Sequence, residues 1–297
     1  MKIIVFGGSG FVGSHLADAL TEAGHEVTIF DVNLSPYLQV SQKFIQGDIL
    51  DADAVRRAVQ NHEVIYNFAG LADIDDALMR PVDTVRLNVL GCVNILEAAR
   101  QTNIKRFIFA STIYVYSEAG GFYRVSKQAC EAYIEEYQRR FGLSYTILRY
   151  GTLYGRRADS RNSVYRYLKQ ALYDRKISIR ATGDEMREYI HVEDASRASV
   201  QILDAEFENQ NVILTGQHPM RFRDLMYMIR EMVGADVQID MQSPDERKAP
   251  GHYNLTPYTF HPKIGKKLVS HYYLDMGQGL LDCLDEIYQN EQNRADK

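Results

Sequence analysis

The chain has 297 residues, of which 45% are hydrophobic and 25% charged, with 34 basic against 39 acidic side chains. That length and apolar content can bury one large core or two joined lobes. The mild negative balance lacks any long basic run, which argues against general nucleic-acid binding, and no apolar stretch approaches the length of a membrane span. Cys92, Cys130 and Cys283 are odd in number and far apart. They point to reduced thiols in a cytoplasmic protein, without a metal cluster. The N-terminus runs straight into a strand-like segment, so no secretion signal is expected.

Residues 3–6 form the first apolar run and predict a buried parallel strand. Residues 11–23 follow as a helix, with Val12, Leu16, Ala19 and Leu20 on one face. Gly7, Gly10 and Gly13 lie at this junction. Glycines there let the chain turn tightly, pass close to a pyrophosphate and pack the helix near the sheet. The phosphates would meet free amides at the positive end of the helix dipole. The second apolar run, 27–30, ends at Asp31, 18 residues beyond Gly13. A carboxylate in that place accepts hydrogen bonds from ribose hydroxyls and repels a 2′-phosphate. The expected ligand is NAD rather than NADP.

Further strands are expected at 43–46, 64–68, 106–110 and 145–148, and helices at 52–60, 82–101 and 123–141. Such alternation means a parallel sheet covered on both faces, with ligands beyond the carboxyl ends of the strands. Asp31, Asp48, Ala69, Thr112 and Tyr150 all fall at those ends. After Tyr154 the segments become shorter and more polar, and Pro244, Pro250, Pro257 and Pro262 punctuate the chain. REYIHVEDASRASVQIL again reads as core. Asp194 within it is expected to cap the helix that follows, and His191 to be structural. The expected fold is α/β: a Rossmann-type doubly wound parallel sheet with a smaller, interleaved C-terminal substrate-binding lobe. Residues 1–155 would form the first unit, with 188–206 returning to it, and 156–297 mainly the second. The final EQNRADK reads as a frayed tail.

Tyr123 and Lys127 stand four residues apart in YRVSKQACEAY, on one face of a helix. A lysine cation beside a phenol favours the phenolate, which can take a proton from an alcohol. That spacing also arises by chance. Thr112, at the end of the strand RFIFAS, makes it more specific. With Ser111 it would put hydroxyl, phenol and ammonium together at the cofactor end of the sheet.

Together with the glycine turn, these motifs resemble the short-chain dehydrogenase/reductase superfamily, in its extended branch acting on nucleotide sugars. The resemblance spans nearly the whole chain. It implies that GGSGFVG, with Phe11 and Val12, holds the cofactor phosphates. GDIL, with Asp48 and Ile49, would contact adenine. Phe68, Ala69 and Gly70 of NFAGLAD would lie under the central ribose, and Asn88 belongs to the family's long helix. The catalytic set would be Thr112, Tyr123 and Lys127 beside Ser111. Tyr150 of LRYGTLYG would approach the nicotinamide. Arg187 of REYIHVEDAS would contact the diphosphate of a nucleotide sugar, with Asn162 and either Arg247 or Lys248 as further contacts. The resemblance also implies a homodimer paired through helices 82–101 and 123–141.

Related 4,6-dehydratases carry Thr-Asp-Glu before Val-Tyr, and related decarboxylases a Glu two positions after the Thr. Here Thr112 is followed by Ile113 and Tyr114, so elimination lacks its acid and base. The pattern is closer to 4-epimerases. A dehydrogenase or 4-ketoreductase with net redox turnover stays open. A non-catalytic NAD-binding regulator is a weaker alternative, since Tyr123 and Lys127 are both present. One departure stands out: only six residues, SEAGGF, separate Tyr116 from Tyr123. Extended family members usually carry a much longer loop there.

Overall fold

The computed structural model describes residues 1–242 and 264–295. The first half alternates as expected. It runs β1 (Lys2–Phe6), α1 (Phe11–Glu22), β2 (Glu26–Asp31), β3 (Lys43–Gln46), α2 (Ala52–Val59), β4 (Val64–Asn67), α3 (Ile74–Met79), α4 (Pro81–Thr84), α5 (Gly91–Arg100), β5 (Arg106–Thr112), α6 (Gly121–Phe141) and β6 (Tyr145–Tyr150). The later chain adds β7 (Thr152–Tyr154), α7 (Ser163–Lys169), β8 (Lys176–Arg180), β9 (Met186–His191), α8 (Val192–Gln201), β10 (Gln210–Leu214), β11 (Pro219–Arg221), α9 (Phe222–Val233), β12 (Gln238–Gln242), β13 (Lys266–Lys267) and α10 (Met276–Ala295).

Eight strands form one parallel sheet in the order β13-β10-β6-β5-β4-β1-β2-β3. The order from β3 to β6 is that of a doubly wound dinucleotide-binding sheet, which reverses direction at β1. Its inner strands β1, β4, β5 and β6 are almost wholly buried because both faces are covered. Ile4 and Phe6 pack with Val55, Leu96 and Ile134 under α2, α5 and α6. Ile3 and Val5, the alternate residues, pack with Leu16, Leu20, Ala195 and Ala198 under α1 and α8. A separate core of Leu168, Ile177, Phe222, Met226, Leu280 and Ile287 holds the second lobe together. β10 and β13 come from the late chain yet extend the large sheet.

Two local expectations change and one short helix is added. The helix expected over 82–101 is a continuous rod with a π-helical stretch, Val85–Leu90, between α4 and α5. Gly91 follows that stretch, where a Cβ would meet Ile49 Cδ1 at 2.5 Å, so the rod approaches the loop after β3 without displacing that side chain. The short α3 gave no strong periodic signal; Asp73 starts it by accepting the Asp76 amide at 2.8 Å. The expected frayed tail is helical to Ala295, and Glu291 pairs with Lys169 of α7 at 2.6 Å.

Candidate active site

The β1–α1 turn is shaped by backbone contact. Gly7 has φ 77°, and a Cβ there would lie 2.6 Å from the Ala69 amide nitrogen. At Gly13 a Cβ would lie 2.2 Å from the Gly7 carbonyl oxygen. The N-cap of α1 is Gly10, which contributes no side-chain cap. The first amides of the helix are therefore left for an anion, flanked by half-buried Phe11 and Val12. Asp31 ends β2 beside this turn. Its Oδ2 accepts the Ser9 amide at 3.0 Å and its Oδ1 the Asn33 amide at 3.2 Å. A carboxylate has about four acceptor positions, so capacity remains for ribose hydroxyls. These features fit a dinucleotide.

The other expected cofactor residues follow β3 and β4 or lie on the rod that leads into α5. Asp48 is exposed, with Oδ1 accepting the Leu50 amide at 2.9 Å, while Ile49 is buried. Phe68 and Ala69 are half-buried after β4, and Gly70 is exposed. Asn88 is used internally. Its Oδ1 accepts the Leu71 amide at 2.6 Å, and its Nδ2 donates to Leu71 O at 3.0 Å and Ser126 Oγ at 2.9 Å. It clips the segment after β4 to α6.

At the neighbouring strand end, Thr112 closes β5 and Tyr123 sits in the first turn of α6. The Thr112 hydroxyl acts on the Tyr123 phenol and also accepts the Tyr114 amide at 3.3 Å. Lys127, one turn on, is buried. Its Nζ lies 5.6 Å from the Tyr123 ring centroid and 4.7 Å from that of Phe109, and it donates to Ala110 O at 2.7 Å. Burial pushes the Tyr123 phenol up to about 12, against a smaller downward pull from Thr112. The sequence led us to expect a depressed value. The ammonium is turned to a backbone carbonyl instead, and loss of water outweighs it. Burial likewise lowers Lys127.

Ser111 turns away from this pair. Its Oγ donates to Glu131 Oε1 at 2.5 Å. Glu131 also accepts Arg149 Nε at 3.1 Å and Nη2 at 2.7 Å. The Arg149 guanidinium lies 4.6 Å from the Tyr116 ring centroid and hydrogen-bonds its hydroxyl. Glu131 and Arg149 are 5% and 1% exposed. Thus one buried carboxylate ties α6, which carries Tyr123 and Lys127, to β5 and β6. Sequence reasoning overlooked both residues. Glu131 lies four positions after Lys127 on the inward face, and Arg149 interrupts the apolar run TILRY. A charge in a fully covered strand was the available signal.

Tyr150 offers no free hydroxyl: it shares a 2.6 Å hydrogen bond with Ser199 Oγ, and its ring stands 5.9 Å from that of Phe68. The short loop 117–122 closes through Gly120 and Gly121, at φ 90° and 49°. Arg124 and Gln128 of α6 donate to the carbonyls of Ser117 and Val115, at 2.7 and 2.9 Å.

In the second lobe, Arg187 of β9 is buried, its guanidinium 4.2 Å from the Phe222 ring centroid. Asn162 caps α7, accepting the Tyr165 amide at 3.1 Å and donating to Leu153 O at 2.8 Å. Arg247 and Lys248 lie outside the described residues. The cap of α8 is His191 rather than Asp194, with Nδ1 accepting the Glu193 amide at 3.4 Å. Asp194 instead pairs with Arg197 at 2.5 Å and accepts the Leu274 amide at 2.7 Å, because its place inside the first turn faces it toward the later chain.

Comparison with known proteins agrees with this geometry. The family model described as "NAD dependent epimerase/dehydratase family" matches residues 3–215. A protein named "Putative UDP-glucose 4-epimerase" from Methanocaldococcus jannaschii is 31% identical over 232 residues, covering 71% of this chain and 76% of the relative. A UDP-N-acetyl-alpha-D-glucosaminuronate decarboxylase from Bacillus cytotoxicus is 26% identical over 283 residues, covering 86% and 87%. The solved UDP-glucuronic acid 4-epimerase from Bacillus cereus, in complex with UDP-glucuronic acid and NAD, superposes with a TM-score of 0.83 at 23% identity. It covers 98% of this chain and 100% of that one. With its motifs, its sheet order and this match in agreement, the chain belongs to the NAD-dependent epimerase/dehydratase family, of the extended short-chain dehydrogenase/reductase type.

Proposed function

We propose that the chain is an NAD-dependent nucleotide-sugar epimerase, inverting carbon 4 through a transient 4-keto sugar. The observation that carries this reading is the Tyr123 phenol with Thr112 and Lys127 beside it, the described residues 111–116 holding no carboxylate. Thr112 is followed by Ile113 and Tyr114, and the acid behind it, Glu131, is taken up by Arg149 and Ser111. Elimination or assisted decarboxylation would need an acid in that corner.

Tyr123 Oη takes the proton of the carbon-4 hydroxyl while Thr112 hydrogen-bonds the same oxygen. NAD, when bound, supplies the reversible hydride acceptor. Lys127, held on Ala110 O, keeps an ammonium 5.6 Å from the Tyr123 ring centroid. The planar 4-keto centre has lost its configuration; turning about the diphosphate linkage presents its other face, and Tyr123 returns the proton. Gly7, Gly10, Phe11, Val12 and Gly13 hold the pyrophosphate, Asp31 the ribose hydroxyls, and Asp48 and Ile49 the adenine, with Phe68, Ala69 and Gly70 beneath. Asn88, Ser111 and Tyr150 shape the crevice through the contacts described above. Arg187 and Arg247 hold the substrate diphosphate, since guanidinium forks suit phosphate. Asn162 positions α7 behind them.

A homodimer and a cytoplasmic setting belong to this reading. Val82 and Val85 on the α4–α5 rod are 70% and 58% exposed, and Phe122, Val125 and Tyr133 on α6 are 47%, 49% and 48% exposed, which suits helix pairing. The three cysteines are free and buried, and no helix among the described residues is long and apolar enough to cross a membrane.

The test is incubation with UDP-, GDP-, CDP- and dTDP-sugars without added cofactor, followed by proton NMR and NADH absorbance. A new stereoisomer without net NADH is expected. Turnover only with stoichiometric NAD⁺ or NADH would make the protein a dehydrogenase or ketoreductase, and a 4-keto-6-deoxy product or released CO₂ would restore elimination or decarboxylation.

A further inference from the structure

Arg157 has φ 63°, a left-handed backbone that residues with side chains rarely adopt. Its contacts join parts of the chain far apart in sequence. Nη2 donates to Asp18 Oδ2 of α1 at 2.8 Å. The guanidinium lies 4.3 Å from the Tyr37 ring centroid. The Arg157 amide donates to Glu286 Oε2 of α10 at 2.7 Å. Beside it, the Arg156 carbonyl oxygen lies 3.0 Å from His15 Nε2 of α1.

Tyr37 belongs to a strap, 32–42, between β2 and β3. The strap leaves at Asp31, and the chain returns through β3 to Gly47 and Asp48. Both ends thus flank the adenosine side of the crevice. Gly47 N donates to Asp31 O at 3.0 Å, Gln46 Nε2 to Val32 O at 3.0 Å, and Ser9 Oγ of the glycine turn to Asn33 O at 2.7 Å. Farther along, Gln42 Nε2 donates to Asp18 Oδ1 at 2.9 Å. Asp18 therefore receives the strap directly through Gln42 and through Arg157, which also stacks on Tyr37.

We infer that Arg157 is a positioning residue for cofactor retention: it locks the strap over the adenosine end of the dinucleotide to α1 and to α10 of the second lobe. This rests on the reading that the crevice takes NAD. Arginine suits the position because one planar group can both pair with a carboxylate and stack on a ring. The pair is mostly shielded, at 21% and 14% side-chain exposure, so solvent screens it less than a surface bridge. An epimerase regenerates its oxidised cofactor in every cycle, so slow release does not limit it. An enzyme with net redox turnover must exchange its cofactor each time.

The experiment measures NAD content after gel filtration and the NAD dissociation rate by exchange with labelled NAD. The proteins are the wild type, Arg157→Gly, Tyr37→Ala and Tyr37→Phe. Glycine keeps the left-handed backbone while removing the side chain. Arg157→Gly should release NAD about tenfold faster or more, the factor expected when an ion pair and a ring contact are lost together. Tyr37→Ala should move the rate in the same direction by less. Tyr37→Phe, which keeps the ring, should stay near the wild type. Thermal unfolding of the NAD-free proteins separates retention from general stability. An unchanged release rate in Arg157→Gly overturns the inference, as does loss of NAD matched by equal destabilisation of the NAD-free form. If the wild type makes net NADH from a nucleotide sugar, the epimerase reading fails while the comparison of release rates still decides the role of Arg157.

Discussion

The two ends of the candidate site are built from different materials. At the β1–α1 turn the chain itself is the binding surface: glycine backbone, unfilled amides and one carboxylate. At the β5–α6 corner, side chains do the work. Thr112, Tyr123 and Lys127 share one corner because Glu131, Arg149 and Ser111 tie their elements together from behind. A backbone site depends on where a Cβ cannot go. A side-chain site depends on partners far away in sequence, and it can be lost without changing any residue that would touch substrate.

The sharpest way to separate the two ends is Tyr123→Phe. It should lower kcat about 10²–10⁴-fold, the usual weight of a positioned acid–base group, while NAD content stays at the wild-type level. If activity survived, the β5–α6 corner would not be the reacting end. Next comes Glu131→Gln, which leaves the Arg149 cation buried without its counter-charge. Denaturant unfolding should report a loss of about 3–5 kcal/mol, and replacing both partners by apolar residues of similar size should cost less. A loss below about 1 kcal/mol, the range of an exposed pair, would mean that the knot does not hold the corner.

The glycine-turn end has its own pH signature. His15 of α1 is 8% exposed, and burial depresses it from 6.5 to about 4. Between those values the unfolded chain binds a proton that the folded chain refuses. Stability should therefore fall as pH drops from 6.5 toward 4, by roughly 3 kcal/mol in all, and level off below. His15→Gln should flatten that part of the profile in unfolding experiments against pH. The smallest expected effect is at the other end. The phenolate fraction of Tyr123 grows with pH, so the rate should rise with pH. Thr112→Val removes the hydroxyl that lowers Tyr123 and should move the rising limb of kcat/KM to higher pH. Movement to lower pH would show that Thr112 stabilises the neutral phenol instead.

Much of the cofactor end was legible because its signals are local. The glycines, the apolar run before them, the helix after them and Asp31 lie within one strand–helix–strand unit. The sheet was legible for the same reason, since buried strands and amphipathic helices announce themselves over a few residues. The β5–α6 corner was legible only as a list of types. Ser111 was read as part of the hydroxyl–phenol set, but its Oγ faces Glu131. The family resemblance places Asn88 at the cofactor, and in the structure its amide bonds Leu71 and Ser126. Lys127 was read as lowering Tyr123, but burial prevails.

By itself, then, the sequence determined the parallel α/β sheet, the dinucleotide turn with its acid, and the Thr, Tyr and Lys that meet at the strand ends. These follow from hydrophobic period and from glycine sterics, which act between near neighbours. Tertiary structure decided which way each polar side chain turned, which acid lay behind the corner, and that β10 and β13 of the late chain finish the first sheet. It also decided that Arg157 reaches Asp18, Tyr37 and Glu286. Those outcomes depend on which distant groups share a buried space, where an unpartnered charge or hydroxyl is costly once water is gone.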